Sequence, residues 1–178
     1  MKFSVFVISG MPGSGKTAAS EYFQKRHIPV VRMGELTQEE LVKRKLAAGW
    51  ENEKFVWTDL RKTEGKDIYA KLAAQRVTEF EAKGKIVIEG MRTLAEYDFF
   101  ANMFPGFKTI FIEAGKEKRY QRLQERRVRP LSTKEARQRD EDEAKGFDLV
   151  KLRDKADFIV GNDGSFEEFF EKLRKIID

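Results

Sequence analysis

The chain has 178 residues, which is enough for one domain with its own hydrophobic core. It contains no cysteine, which excludes disulfides and thiolate-bound metals, and its apolar start, MKFSVFVISG, is too short to span a bilayer. The formal net charge of +5 indicates an anionic partner. We therefore expect a single cytoplasmic domain over residues 1–178, with no membrane partner.

Short apolar runs alternate with helical patterns along the chain, which predicts a parallel sheet with helices on both faces. The predicted strands are Phe3–Ser9, Pro29–Met33, Lys85–Glu89, Lys108–Glu113 and Asp157–Val160. The predicted helices run from about Lys16 to Arg26, from Thr37 toward Ala48, from Gly65 to Gly84, from Thr93 toward Met103, over Lys116–Arg127, and onward from Ser132 and Ser165. The expected architecture is a three-layer, five-stranded α/β domain.

The segment Gly10–Thr17 (GMPGSGKT) matches the phosphate-loop (P-loop) pattern GxxxxGK[ST] at every fixed position. Its glycines allow backbone N–H groups to approach phosphate oxygens, Lys16 reaches the β- and γ-phosphates, and Thr17 offers a hydroxyl to Mg²⁺. A predicted strand precedes the segment and a predicted helix follows it, as the pattern requires. The sequence thus predicts bound ATP and Mg²⁺, held by Gly10, Gly13, Ser14, Gly15, Lys16, Thr17 and Ala18.

The P-loop alone does not define a reaction, because motors, switches and kinases all carry it. The chain is short for a motor or helicase. Residues 161–164 (GNDG) lack the form of a guanine-specifying element, although ATP and GTP remain weakly distinguished as donors. A small kinase needs an acceptor site and a positively charged lid, and the basic run from Lys116 to Arg129 can supply the lid.

Further segments carry a resemblance to a known family. They are VRMGE at 31–35, IEGMRTLAE at 88–96, the arginine-rich run at 119–127, RDEDE at 139–143 and ADFIVGNDGS at 156–165. With the P-loop they resemble, over nearly the whole chain, small P-loop kinases related to adenylate kinase, and more distantly dephospho-CoA kinases. The resemblance implies the fold of nucleoside monophosphate kinases, a small nucleotide acceptor bound near residues 34–84, and a small lid near 116–140.

The resemblance also implies roles for residues at two strand ends. Residues 89–92 (EGMR) look like the family's DGxR, in which the acidic residue holds the magnesium hydration shell and the arginine binds the acceptor phosphate. The resemblance therefore assigns the first role to Glu89 and the second to Arg92. Here the acid is glutamate, with a longer arm. Glu35 follows the second strand and has three open roles: a base for a hydroxyl acceptor, a ribose ligand, or part of a helix start.

Lid residues must neutralise charge on the transferred phosphoryl group. Arg119, Arg122 and Arg126 have helical spacing on one face, and we expect Arg122 and Arg126 to contact phosphate. Asn162 and Gly164 match a loop that passes under the adenine in related kinases.

Three functions are open at this level. The first is a kinase of nucleoside monophosphates such as AMP, and the second is a kinase of a hydroxyl acceptor, dephospho-CoA. The third is a slow regulatory NTPase associated with nucleic acid, which is disfavoured because no RNA-binding motif is found. Trp50, Phe55 and Trp57 are predicted to pack in the core rather than stack on a base. A monomer and a homodimer are both compatible with the sequence.

Overall fold

The computed structural model describes residues 3–80, 84–127 and 130–178. Within these ranges the strands are β1 (Phe3–Ser9), β2 (Val30–Arg32), β3 (Gly84–Met91), β4 (Lys108–Glu113) and β5 (Phe158–Gly161). They form a parallel sheet in the order β2-β3-β1-β4-β5. The predicted five-stranded parallel sheet is confirmed.

Helices connect the strands and cover the sheet. The described helices are α1 (Lys16–Lys25), α2 (Met33–Lys43), α3 (Trp50–Glu64), α4 (Ile68–Glu79), α5 (Leu94–Met103), α6 (Lys116–Glu125), α7 (Thr133–Gly146), α8 (Leu149–Asp154) and α9 (Phe166–Ile177). None of the described helices is long and apolar enough to cross a membrane.

Two hydrophobic cores form because side chains along a strand alternate between the faces of the sheet. Val5 and Val7 of β1 pack into the core shared with α2, α3, α4, α5 and α8. Phe6 and Ile8, which alternate with them, pack into the core shared with α1 and α9. The central strand is therefore buried on both faces, which is why it reads as a continuous apolar run.

Of the four helix starts that were predicted from a capping serine or threonine, three are correct. Thr93 with Glu96 and Ser132 with Glu135 form reciprocal capping boxes, and the Ser165 hydroxyl accepts from the Glu168 N–H. The start at Thr37 is wrong, because α2 begins at Met33.

The region between β2 and β3 departs most from prediction. Helix α3 was not predicted, and Gly49, which was expected to stop the helix that runs from Thr37 toward Ala48, precedes α3 instead. The short α8, between β4 and β5, was not predicted either. Gly84 opens β3 instead of ending a helix, since α4 ends at Glu79. Helix α3 is rich in charged residues, and no side chain caps its start, so the capping signal that marked other helices in the sequence is missing here.

The carboxyl ends of parallel strands meet at one edge of the sheet, which is where ligands bind in this architecture. The P-loop follows β1, Arg92 follows β3, and Asn162 follows β5 at this edge. The Ser9 hydroxyl donates to the Met91 carbonyl at 2.7 Å and ties the ends of β1 and β3 together.

Candidate active site

The P-loop joins β1 to α1 in a conformation that requires glycine. Gly13 and Gly15 have φ angles of +77° and +111°, in the left-handed region. A Cβ on Gly13 would lie 2.5 Å from the Arg119 carbonyl oxygen, and one on Gly15 would lie 2.1 Å from the Asn162 amide nitrogen. No side chain caps the start of α1, so its first N–H groups are free to meet an anion.

Lys16 is folded back onto the loop that carries it. Its Nζ donates to the carbonyl oxygens of Gly10 at 2.7 Å and Met11 at 3.0 Å. Burial lowers the pKa of Lys16, Glu89 and Glu143 oppose this shift, and Arg92 and Arg139 add smaller decreases, which leaves the pKa at about 8. The ammonium group is thus poorly compensated, and a phosphate would supply the missing negative charge.

Asn162 supports the loop from the end of β5. It is buried, and its amide Nδ2 donates to the Ser14 carbonyl at 2.8 Å. Arg122 donates from Nη2 to the Asn162 carbonyl at 2.8 Å. The side chain of Asn162 is therefore directed at the P-loop, and Gly164 is exposed beside Glu168.

A buried carboxylate joins two arginines close to Lys16. Glu143 accepts from Arg139 Nε at 3.0 Å and lies 3.7 Å from Arg92 Nη1. Burial alone would raise the pKa of Glu143, but Arg92, Arg139 and Lys16 outweigh it, and the pKa is lowered. For Arg92, burial opposes the charged form, yet Glu143 and Glu96 raise its pKa. The cluster stays ionised, so its cations can bind a phosphate.

A second, small cleft opens between the end of β3 and helices α2, α3 and α4, and we call it the arginine cleft. It is lined by Met33, Gly34, Thr37, Trp57, Arg61, Tyr69, Gly90 and Arg92. The guanidinium groups of Arg61 and Arg92 lie 4.9 and 5.1 Å from the centre of the Phe147 ring, which holds both. Arg61 Nη2 also donates to Glu96, which is fully buried, at 2.7 Å.

Hydrogen-bond donors dominate the lining of the arginine cleft. The buried indole N–H of Trp57 and Nε of Arg61 have no hydrogen-bond partner among the described residues. Neither group can accept a hydrogen bond. The hydroxyls of Thr37 and Tyr69 are 2.8 Å apart and satisfy each other. None of the described lining residues is a carboxylate, so the arginine cleft suits a ligand that accepts hydrogen bonds and carries negative charge.

The predicted site residues are distributed unevenly around these two centres. Lys16 and Arg92 come together, and Glu89 is close enough to both to affect their titration. Thr17 is exposed at the start of α1, beside half-buried Ala18. Glu35 is mostly exposed and lies 3.6 Å from Arg32, outside the lining of the arginine cleft.

The lid arginines differ from prediction in two ways. Helix α6 ends at Glu125, so Arg126 leaves the helix in an extended conformation and does not share a helical face with Arg119. Arg119 is buried and paired with Asp140 rather than exposed. Arg129 lies outside the described residues.

Sequence reasoning gave no role to Arg61, Tyr69, Asp140 or Glu143. The last two were visible in the RDEDE segment at 139–143, which contributed to the resemblance. Trp57 is in the core as predicted and Trp50 packs against it, whereas the prediction is wrong for Phe55, which is exposed. Trp57 also lines the arginine cleft, so core packing and a place at a ligand site are not exclusive.

Comparison with known proteins supports this description. The AAA_18 family, described as an AAA domain, matches residues 7–146. A UPF0200 protein of Thermococcus onnurineus is 34% identical over 179 residues, covering 98% of this chain and 96% of that protein. The solved structure of a shikimate kinase from Bacteroides thetaiotaomicron matches with a TM-score of 0.60 at 16% identity, over 97% of each chain. A gluconokinase from Sinorhizobium meliloti matches with a TM-score of 0.61 at 11% identity, over 98% of this chain and 93% of that one. These likenesses show an α/β fold of the P-loop kinase kind.

Proposed function

Since the chain belongs to the AAA_18 family of AAA domains and has a P-loop kinase-like fold, we propose that it transfers the γ-phosphoryl group of ATP to a nucleoside monophosphate such as AMP. The observation that carries the proposal is the arginine cleft beside the P-loop. Arg92 belongs to the cleft and also faces Glu143, which interacts with Lys16. One cationic network therefore joins a donor-phosphate site to a second anion site.

The residues present fit ATP and Mg²⁺. The P-loop offers glycines with left-handed φ angles, an uncapped helix start and the incompletely compensated ammonium of Lys16. Thr17 and Glu89 would hold Mg²⁺ with the phosphate oxygens, and the ion would neutralise charge on the β- and γ-phosphates. Lys16 would leave the carbonyls of Gly10 and Met11 to contact phosphate.

The arginine cleft would bind the acceptor through its phosphate. Arg61 and Arg92 are held by one aromatic ring and by buried carboxylates, so little side-chain entropy is lost when they bind an oxyanion. Arginine binds phosphate through two parallel N–H donors, which fixes orientation as well as position. An acceptor phosphate is already deprotonated, so this reaction requires no general base.

A hydroxyl acceptor is the second candidate, because two arginines bind a carboxylate as readily as a phosphate. Shikimate kinase and gluconokinase, named in the solved structures, are named for hydroxy acids. Dephospho-CoA is the hydroxyl acceptor that the family resemblance suggests. This reaction would use a base such as Glu35, whose exposed carboxylate would have to turn away from Arg32.

The test is a transfer assay with ATP–Mg²⁺ and a panel of AMP, CMP, UMP, dAMP, dephospho-CoA, shikimate and gluconate. ADP and the phosphorylated product are both measured. Lys16→Ala is run alongside, with Lys25→Ala as the matched control because Lys25 is exposed at the other end of α1. We expect a product from a monophosphate that Lys25→Ala retains and Lys16→Ala loses.

The other outcomes separate the candidates. A product only from dephospho-CoA or a hydroxy acid would replace the first candidate by the second and make Glu35→Gln the next variant. Slow ATP hydrolysis that no acceptor stimulates would contradict both and favour a regulatory NTPase.

A further inference from the structure

Arg119 of α6 is buried against the P-loop, with only 6% of its surface exposed. Its Nη1 donates to the Pro12 carbonyl at 3.0 Å, inside the P-loop. The same guanidinium pairs with both carboxylate oxygens of Asp140, at 2.5 Å from Nη1 to Oδ1 and 2.7 Å from Nη2 to Oδ2. This bidentate pairing fixes the plane of the guanidinium group, and with it the direction of the hydrogen bond to the Pro12 carbonyl.

The main chain of Arg119 contacts the next residue of the loop. Its carbonyl oxygen lies 2.5 Å from the position that a Cβ of Gly13 would occupy. Two consecutive P-loop residues, Pro12 and Gly13, are thus in contact with one residue of α6. The N–H groups that receive phosphate belong to this stretch of backbone, so its position determines where they point.

Asp140 brings a second helix into this contact. It lies on α7, which also carries Arg139 and Glu143 toward Arg92. Tyr120 of α6 donates to Asp140 at 3.4 Å, and Tyr120 and Leu123 of α6 form a small apolar cluster with Leu131 and with Ala136 of α7. Helix α7 therefore contacts the P-loop through Asp140 and Arg119, and the arginine cleft through Glu143.

We propose that Asp140 is a positioning residue for ATP: it holds Arg119 against Pro12 and so keeps the P-loop in its phosphate-binding conformation. Without the carboxylate, a buried guanidinium loses its counter-charge and turns toward water, and the Pro12 carbonyl loses its donor. The inference rests on the proposed function only in requiring that the P-loop binds ATP.

The test compares Asp140→Asn with Glu141→Gln, a neighbouring exposed carboxylate on the same helix. Isothermal titration gives the Kd of Mg·ATP without any need for transfer. We expect Asp140→Asn to raise this Kd about 10- to 100-fold, the effect of losing charge-assisted hydrogen bonds, and Glu141→Gln to leave it unchanged. Hydrogen exchange in the ligand-free protein should accelerate in residues 10–17 of Asp140→Asn and stay unchanged in β3.

Equal Kd values and equal exchange in Asp140→Asn and wild type would overturn the inference while leaving the proposed function intact. A wild-type protein that binds no ATP would overturn both. If Asp140→Asn does not fold, Arg119→Lys provides the same test, since one ammonium group cannot hold the planar pair with Asp140 and the bond to Pro12 together. Wild-type ATP affinity in Arg119→Lys would then overturn the inference.

Discussion

The P-loop and the arginine cleft lie at the same edge of the sheet but are built in different ways. The P-loop is one continuous segment whose binding surface consists mainly of backbone N–H groups in conformations that require glycine, and it is recognisable from the sequence. The arginine cleft is assembled from side chains of α2, α3 and α4 and from Arg92, which follows β3, and the Phe147 ring, beyond the end of α7, contacts both of its arginines. A site formed by the backbone of one segment can therefore be predicted from the sequence, whereas a site formed by side chains distant in sequence can be identified only from the folded structure.

The difference has a chemical counterpart. Backbone N–H groups bind any phosphate chain of the right shape, so in the proposed reaction the P-loop would recognise the triphosphate and not the base. Side chains of the arginine cleft set charge, size and hydrogen bonding, so in the same proposal they would select the acceptor. If this division holds, variants at the P-loop should change ATP binding alone, and variants in the cleft should change acceptor binding alone.

The largest effect is expected from Gly13→Ala. The new Cβ would meet the Arg119 main chain, and φ at this position is +77°, so the loop has to shift. We expect the Kd of Mg·ATP to rise about 100-fold through the displaced phosphate-binding N–H groups. Gly161→Ala is the control, because a Cβ there meets no atom within 4 Å. Similar Kd values for the two variants would show that backbone conformation does not specify this site.

The next effect is expected from Arg61→Lys in the arginine cleft. Lysine keeps the positive charge beside buried Glu96 but loses Nε–H and the planar guanidinium. We expect the KM of the acceptor to rise about 10- to 30-fold and the Kd of ATP to stay within about twofold. Lys62→Met, an exposed change on the same helix, should affect neither constant. An equal loss of ATP affinity in Arg61→Lys would contradict the division between the two sites.

The P-loop and the arginine cleft also differ in how much of each could be predicted from the sequence. Buried strands, three capped helix starts and Lys16 were predicted because each depends on neighbours within a few residues, whereas Arg92 was assigned from the family resemblance. Arg61 was not predicted, since its partner Glu96 is 35 residues away and α3 has no side-chain cap to mark its start. Arg119 has the spacing of an exposed lid residue, and only the fold reveals Asp140, 21 residues on, as its partner.

The pKa of Lys16 gives the P-loop a pH dependence that the arginine cleft should lack. Burial lowers this pKa to about 8 in the ligand-free protein, and a bound phosphate favours the ammonium form and raises it. ATP affinity should therefore be flat below pH 8 and then fall up to about tenfold per pH unit. Lys16 of the unfolded chain keeps the ordinary pKa of 10.5, so between pH 8 and 10.5 the unfolded chain binds more protons than the folded protein. The contribution of Lys16 to the free energy of unfolding therefore rises with pH over this range, whereas ATP affinity falls.

Titration calorimetry from pH 7 to 9.5, in buffers of different ionisation enthalpy, measures both the affinity and the proton taken up on binding. Lys16→Arg is the control, because a guanidinium stays charged over this range and its affinity should not change with pH. A wild-type affinity that is equally flat would mean that Lys16 remains fully protonated in the ligand-free site.

A smaller effect is expected from Glu143→Gln, which removes the negative charge shared by the two sites. The ligand-free protein should lose about 1–3 kcal/mol of unfolding free energy, because Arg92 and Arg139 lose their buried partner. The same change removes a charge that repels phosphate, so pyrophosphate should raise the Tm more than it does in wild type. Differential scanning calorimetry with and without pyrophosphate gives both values, and Glu141→Gln is the exposed control. If pyrophosphate raises the Tm of Glu143→Gln and of wild type equally, Glu143 contributes to stability but does not affect phosphate binding.

The smallest effect, at the wall of the arginine cleft, tests whether its hydroxyls belong to the site or to the fold. Thr37 and Tyr69 bond each other at 2.8 Å while buried, and burial raises the pKa of Tyr69. Tyr69→Phe leaves the Thr37 hydroxyl without its partner and should cost about 1–2 kcal/mol of unfolding free energy. Adding Thr37→Val removes the second polar group, so the double variant should be no less stable than Tyr69→Phe.

Urea unfolding of the two single variants and the double variant gives the coupling between the hydroxyls, and the acceptor KM is measured in the same proteins. If the pair serves only the fold, the coupling is large and the KM changes less than about threefold. Additive stabilities with a large rise in KM in both single variants would instead mean that the hydroxyls turn to the acceptor when it binds. Recognition in the arginine cleft would then include hydrogen bonds from α2 and α4 as well as charge.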